Sequence, residues 1–326
     1  GSSMSLLTAA QKGHNDCMQS LLAAPGIDVS AINNYGENAL TCAADNEHDG
    51  CVQSLLAAPG IDVNAADKYG TTALIWAADS GHKDCVQSLL AAPGVDVNAT
   101  NNYGTTALIC AADRGHNDCV QSLLAAPGID VNATNRSRTT ALIWTATNGH
   151  KDCVQSLLAV PGIDVNAADM HGATALIGAA GSGHKDCVQS ILAAPGIDVN
   201  ATNNYGTTAL IWAAADGRIG YVQSLLSAPG IDANTTNKHR ETARTIAAKK
   251  RIRSCAKLLA RRSSTPRILE CLRRVQSSKP FFTRELWRRA RWGGMSCVRK
   301  HGGDGVGFHP PSRAVVSLAL LQIPRA

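Results

Sequence analysis

The sequence predicts an all-α solenoid of about eight stacked helix-turn-helix units with β-turn or hairpin tips. Three observations predict it. Cys17, Cys51, Cys85, Cys119, Cys153 and Cys187 recur at a fixed interval of 34 residues, and His14, His48, His82, His116, His150 and His184 keep the same step. The prolines from Pro25 to Pro229 follow that interval, as do the leucine pairs from Leu21-Leu22 to Leu225-Leu226, with Ile191-Leu192 in the sixth place. Within each period, two short stretches carry apolar residues at helical spacing. Neither stretch can bury its face alone, so copies must stack against each other.

Residues 67–100 show the elements in order. Asp67-Lys68-Tyr69-Gly70 forms a turn in which Gly70 supplies a positive φ. Thr72 is a candidate N-cap, because its hydroxyl accepts from the free amides of a first helical turn. Ala73 to Ser80 form the first helix, with Leu74, Ala77 and Ala78 on one face, and Gly81-His82 breaks it. Asp84 to Ala92 form the second helix, with Cys85, Val86, Leu89 and Leu90 on its apolar side. Pro93-Gly94 ends it. Val95 to Ala99 is expected to run extended into the next turn.

These motifs resemble the ankyrin repeat, a 33-residue unit marked by T-P-L-H-x-A. The corresponding residues are Thr72-Ala73-Leu74-Ile75-Trp76-Ala77-Ala78, followed by Gly81-His82, Leu89-Leu90 and Asp96-Val97-Asn98-Ala99. Alanine replaces the proline, isoleucine replaces the histidine, and one residue is added near Ala-Pro-Gly. The resemblance covers 4–262, divided as 4–32, 33–66, 67–100, 101–134, 135–168, 169–202, 203–236 and a divergent 237–262. Gly1-Ser2-Ser3 reads as an expression scar. The last unit has Arg244 in place of leucine, with Lys249, Lys250, Arg251, Arg253 and Lys257, the polar face expected of a capping repeat.

The copies also differ. Glu47-His48-Asp49-Gly50 replaces the Gly-His turn in the second unit. Arg138 occupies a tip position that elsewhere holds glycine, at a cost of about 1 kcal/mol. Gly178 and Gly181 weaken a first helix, which marks the sixth unit as the softest internal joint.

Charge is split along the chain. Residues 1–236 carry 9 Lys+Arg and 21 Asp+Glu, and residues 237–326 carry 22 and 4. Three pairings follow: a basic partner for the array, an anionic partner for the tail, or the tail folding onto the array. The plainer alternative is that both charges only solvate their surfaces. The periodic cysteines are expected on the buried side of the second helices. At about 10 Å between repeats they are too far apart for disulfides, which implies a reducing, cytoplasmic setting.

Residues 263–326 lose the period and form a basic tail expected to be disordered or loosely structured. Thr283 to Trp292 could form a short basic helix suited to nucleic acid or an anionic membrane. Pro266 to Val275 partly resembles the box through which some ankyrin proteins recruit a ubiquitin ligase, although Arg267 stands where leucine is required.

No catalytic motif is present, and the carboxylates recur by duplication without converging, so neither an enzyme nor a cofactor is expected. His82 with Cys85 has metal-like spacing, but each repeat offers two ligands where zinc needs four. The resemblance implies that the Gly-His histidine bonds loop backbone, and that Asn98 and its equivalents bond between adjacent loops.

The resemblance places partner binding on the turn tips and the exposed side of the first helices, along a concave face. The copies diverge at those positions. The candidate tip residues are Tyr35, Lys68, Tyr69, Asn102, Tyr103, Arg136, Met170, His171 and Tyr205. On the first helices they are Trp76, Asp79, Ser80, Asp113, Arg114, Trp144, Asn148 and Trp212. Tyrosine and tryptophan give rigid amphipathic contacts, although the tryptophans could instead fill gaps between repeats. The expected function is a monomeric, non-enzymatic scaffold or adaptor for a protein partner, in particular one with a basic segment. The alternatives are an adaptor acting through its tail and a bacterial effector acting in host cytosol.

Overall fold

The computed structural model describes residues 5–260. Within them run α1 (Leu6–Lys12), α2 (Asn15–Leu22), α3 (Ala39–Asp45), α4 (Asp49–Leu56), α5 (Ala73–Ser80), α6 (Lys83–Leu90), α7 (Ala107–Arg114), α8 (Asn117–Leu124), α9 (Ala141–Asn148), α10 (Lys151–Leu158), α11 (Ala175–Ser182), α12 (Lys185–Leu192), α13 (Ala209–Ala215), α14 (Ile219–Ser227) and α15 (Ala243–Lys249). Residues 253–260 are also helical. Each odd-numbered helix packs on the next odd one, and even-numbered helices from α2 to α14 do the same, giving two helical layers. Isolated bridges such as Ala66 to Thr72 are the only β pairing among the described residues.

A side-chain N-cap starts every odd-numbered helix. Ser5, Asn38 and the threonines Thr72, Thr106, Thr140, Thr174, Thr208 and Thr242 each accept from the amide three residues on. Gly81 ends α5 in the left-handed region at φ 81°, and its ring-facing side explains why glycine suits this place. A Cβ there would lie 2.6 Å from Nδ1 of His116, which stacks on it from the following repeat.

The core lies between the layers. Leu74, Ile75, Ala77, Ala78, Cys85, Val86 and Leu89 are buried, as are their equivalents in neighbouring repeats. Each buried leucine contributes about 1.5–3 kcal/mol relative to exposure. Ile75, at the position of the histidine in T-P-L-H-x-A, belongs to this core.

Several expectations change. The second helix is Lys83–Leu90 rather than 84–92, because Pro93 disfavours helical backbone at the residue before it. Leu90 is accordingly only half-buried. Val95 to Ala99 is not extended: Asp96 Oδ1 accepts from the Asn98 amide at 3.0 Å, and the Ala99 amide donates to Asp96 O, closing a tight turn. In the second repeat the register is intact, with Glu47 alone replacing glycine at φ 63°.

Cys17 is exposed, whereas Cys51, Cys85, Cys119, Cys153 and Cys187 are buried. Burial pushes the Cys119 and Cys187 thiols up, with Lys83 and Lys151 of the preceding repeats opposing the shift. The 34-residue register also continues through Tyr221 to the buried Cys255.

At Gly178 an added Cβ would collide with Oγ1 of Thr147 in the preceding repeat, so this glycine admits a close helix approach. Arg244, Lys249, Lys250, Arg251, Arg253 and Lys257 are exposed on the last repeat. The basic helix expected at 283–292 and the box at 266–275 lie outside the described residues. No helix among the described residues is long and apolar enough to cross a membrane.

Candidate protein-binding face

Two hydrogen-bond series fix the geometry of the tips. The first is backbone to backbone: the amides of Lys68, Asn102, Arg136, Met170, Asn204 and Lys238 donate to the carbonyls of Tyr35, Tyr69, Tyr103, Ser137, His171 and Tyr205. Each tip is thereby tied to its predecessor in one register. In the second series, Asn132 Nδ2 donates to Gly162 O at 2.9 Å while its Oδ1 accepts from the Asp164 amide at 2.8 Å. Asn64, Asn98, Asn166 and Asn200 repeat that pair of bonds.

On this frame Tyr35, Tyr69, Tyr103, Met170 and Tyr205 stand exposed at five of the tips, with the Arg136-Ser137 tip between Tyr103 and Met170. Lys68, Asn102, Arg136 and His171 beside them are exposed as well. Trp76 and Trp144 are half-buried, and Trp212 is exposed. Tyr69, Trp76, Asp79 and Tyr103 come together, with Thr71, Ile75, Asn101 and Cys110, around one groove of about 430 Å³. Trp76 therefore faces this groove. Met170, His171, Tyr205, Trp144 and Trp212 take no part in it.

The polar positions of the first helices serve the stack itself. Arg114 grips Asp79 through Nε and Nη2 at 3.2 and 3.3 Å. Asn148 Nδ2 donates to both the backbone and the side chain of Asp113, and Ser80 Oγ donates to Asp45 Oδ1 at 3.1 Å. Residues 80, 114 and 148 thus each reach back one repeat, which sets the spacing of the carboxylate row Asp45, Asp79 and Asp113.

Asp67 escaped the sequence reading. It is buried, accepts from the amides of Tyr69 and Thr71 through Oδ1, and takes Trp76 Nε1–H on Oδ2 at 3.3 Å, orienting the indole. The available signal was an aspartate where most tips begin with asparagine: Asn33, Asn101, Asn135 and Asn203.

The histidines bridge repeats rather than loops within one repeat. His82 Nε2 lies 2.9 Å from Asp45 O, His116 3.1 Å from Asp79 O and His150 2.9 Å from Asp113 O. In the seventh repeat Arg218 and Tyr221 replace the histidine and cysteine together, and Tyr221 OH donates to Gly183 O. Burial pushes the Cys85 and Cys110 thiols up to about 12, with nearby carboxylates adding to the shift, so neither is a nucleophile at neutral pH. No cluster of metal-ligating side chains occurs among the described residues.

The family model for ankyrin repeats (3 copies) matches residues 6–101, 61–135, 130–203, 168–237 and 196–268. The chain belongs to the ankyrin repeat family. The crystal structure of the human ASB11 ankyrin repeat domain is similar to this ankyrin array, with a TM-score of 0.59 and 25% identity over 69% of this chain and 98% of that one. No curated protein matches the chain. Ankyrin repeats are generic protein–protein interaction modules, and ankyrin repeat proteins are generally non-enzymatic binding scaffolds.

Proposed function

We propose that this ankyrin array is a scaffold that holds a basic segment of a partner protein across repeats two to four. The observation that carries this reading is the coincidence of charge and rings. Residues 33–134 hold twelve carboxylates against three Lys+Arg, a net of −9, whereas residues 135–236 hold seven against five, a net of −2. The groove formed by Tyr69, Trp76, Asp79 and Tyr103 lies within the acidic part. A field of one sign steers an oppositely charged ligand, and exposed aromatics supply contact area at little entropic cost.

The test is binding of immobilised peptides of graded charge to the full chain and to a Trp76→Ala, Tyr103→Ala double variant. Basic peptides should be retained, their affinity should fall as salt rises, and the double variant should lose at least about tenfold while keeping its circular dichroism. Equal retention of acidic and basic peptides would remove this function.

A further inference from the structure

Lys68 provides an internal template for a ligand. Its Nζ lies 4.5 Å from the centre of the Tyr35 ring and 5.0 Å from that of Tyr69, so one ammonium sits between two consecutive tip rings. The same backbone bond ties Asn102 to Tyr69 as ties Lys68 to Tyr35, so Tyr69 and Tyr103 stand in the backbone register of Tyr35 and Tyr69. There, however, the residue equivalent to Lys68 is Asn102, and among the described residues no cation lies over Tyr103. At the next tip Arg136 follows Tyr103, but Ser137 replaces the second tyrosine, so no ring pair forms. The Tyr69–Tyr103 interval is thus a ring pair without its cation, and it opens onto the groove lined by Trp76 and Asp79.

The chemistry of that interval selects a cation. Aromatic faces are negative, and an ammonium or guanidinium within about 6 Å of a ring centre is attracted to them. Asp79 is already neutralised by Arg114, so the selectivity comes from the rings and from the acidic repeats around them.

We propose that the Tyr69–Tyr103 interval receives one lysine or arginine side chain of the partner, held as Lys68 is held between Tyr35 and Tyr69. The assignment rests on the reading that repeats two to four take a basic segment, and it names the place where that segment is anchored.

Calorimetric titration of the full chain with an eight-residue peptide of alternating lysine and glycine tests it, with the glutamate–glycine peptide as control. Asn102→Lys places the chain's own ammonium in the interval and blocks it, and Tyr103→Ala removes one wall. Asn204→Lys is the charge control. It adds the same charge at the tip between His171 and Tyr205, and it removes an equivalent bond: Asn102 Nδ2 donates to Lys68 O at 3.2 Å, and Asn204 Nδ2 to Met170 O at 3.0 Å. Asn102→Lys and Tyr103→Ala should each weaken the lysine peptide about fivefold, and Asn204→Lys by no more than about twofold. Equal losses in Asn102→Lys and Asn204→Lys would reduce the effect to charge repulsion and overturn the site. Undiminished binding in both Asn102→Lys and Tyr103→Ala would overturn it as well, leaving the wider basic-segment reading standing. Failure of the wild-type chain to bind the lysine peptide would remove both.

Discussion

Replacing Asn132 measures what holds one repeat to the next on the loop side. Its side chain makes two bonds to the following repeat, to Gly162 O and from the Asp164 amide. A net hydrogen bond is worth about 1 kcal/mol, so Asn132→Ala should cost about 2 kcal/mol. With a urea slope of about 3 kcal/mol per M, the unfolding midpoint by circular dichroism should fall by about 0.7 M. Asn132→Asp keeps the acceptor for Asp164 but sets an oxygen against Gly162 O, so it should be at least as unstable as the alanine variant. Hydrogen exchange should show the Asp164 amide losing protection while those of Asp130 and Asp198, bonded to Asn98 and Asn166, keep theirs. The converse change is available at the first repeat, where Ser30 stands at the asparagine position and bonds only to Asp28. Ser30→Asn should complete a rung to Gly60 and Asp62 and raise stability by about 1 kcal/mol after the loss of the serine hydroxyl bond. If Asn132→Ala melts like the wild type, or Asn132→Asp melts above Asn132→Ala, the rungs carry no net energy and the reasoning is refuted.

Four further outcomes follow from local geometry. Gly181→Ala should raise the urea midpoint by an amount worth about 1 kcal/mol, since the nearest obstacle to a Cβ is Trp212 Cδ2 at 3.9 Å. Gly178→Ala should give no such gain because Thr147 Oγ1 occupies the space; a stabilised Gly178→Ala would contradict the close helix approach. Arg138 sits at φ 59°, so Arg138→Gly should stabilise by about 1 kcal/mol in thermal or urea melts, and an unchanged midpoint would mean the strain is absent. With Ellman's reagent at pH 8 and peptide mapping, Cys17 should react at least about 100-fold faster than Cys85, Cys119 or Cys153, whose thiols burial holds at about 11 to 12. Equal labelling of Cys85 and Cys17 would show that the stack opens faster than the reagent reacts.

The fold was legible because each element carries its own local signal. Thr72 caps, Gly70 and Gly81 turn, and Leu74 and Leu89 mark buried faces, all within one period of residues. Less visible was whatever depends on the neighbouring copy. Nothing local reveals that His116 stacks on Gly81, that Ser80 reaches Asp45, or that Cys17 lies exposed while its five equivalents are covered. The candidate face divides in the same way. Tyrosine tips could be read directly, and Tyr69, Trp76, Asp79 and Tyr103 meet in one groove. Asp67, which sets the indole, and Arg114, which neutralises Asp79, act through contacts that sequence spacing does not display. Pro93 shows a purely local rule applied too loosely, since it ends the helix by acting on Ala92 and not by its own position.

Every cross-repeat rung links residues separated by one period, give or take a few positions. Excising a whole period from the interior, for instance 101–134, would leave Asn98 facing Gly162 and Asp164 in place of Gly128 and Asp130, with all partners chemically unchanged. A deletion one residue shorter or longer would put the rungs that cross the junction out of step, while pairs lying wholly beyond it keep their own separation. Length in this molecule is therefore counted in whole modules, and gene rearrangements that respect the module can resize the binding surface without redesigning its joints.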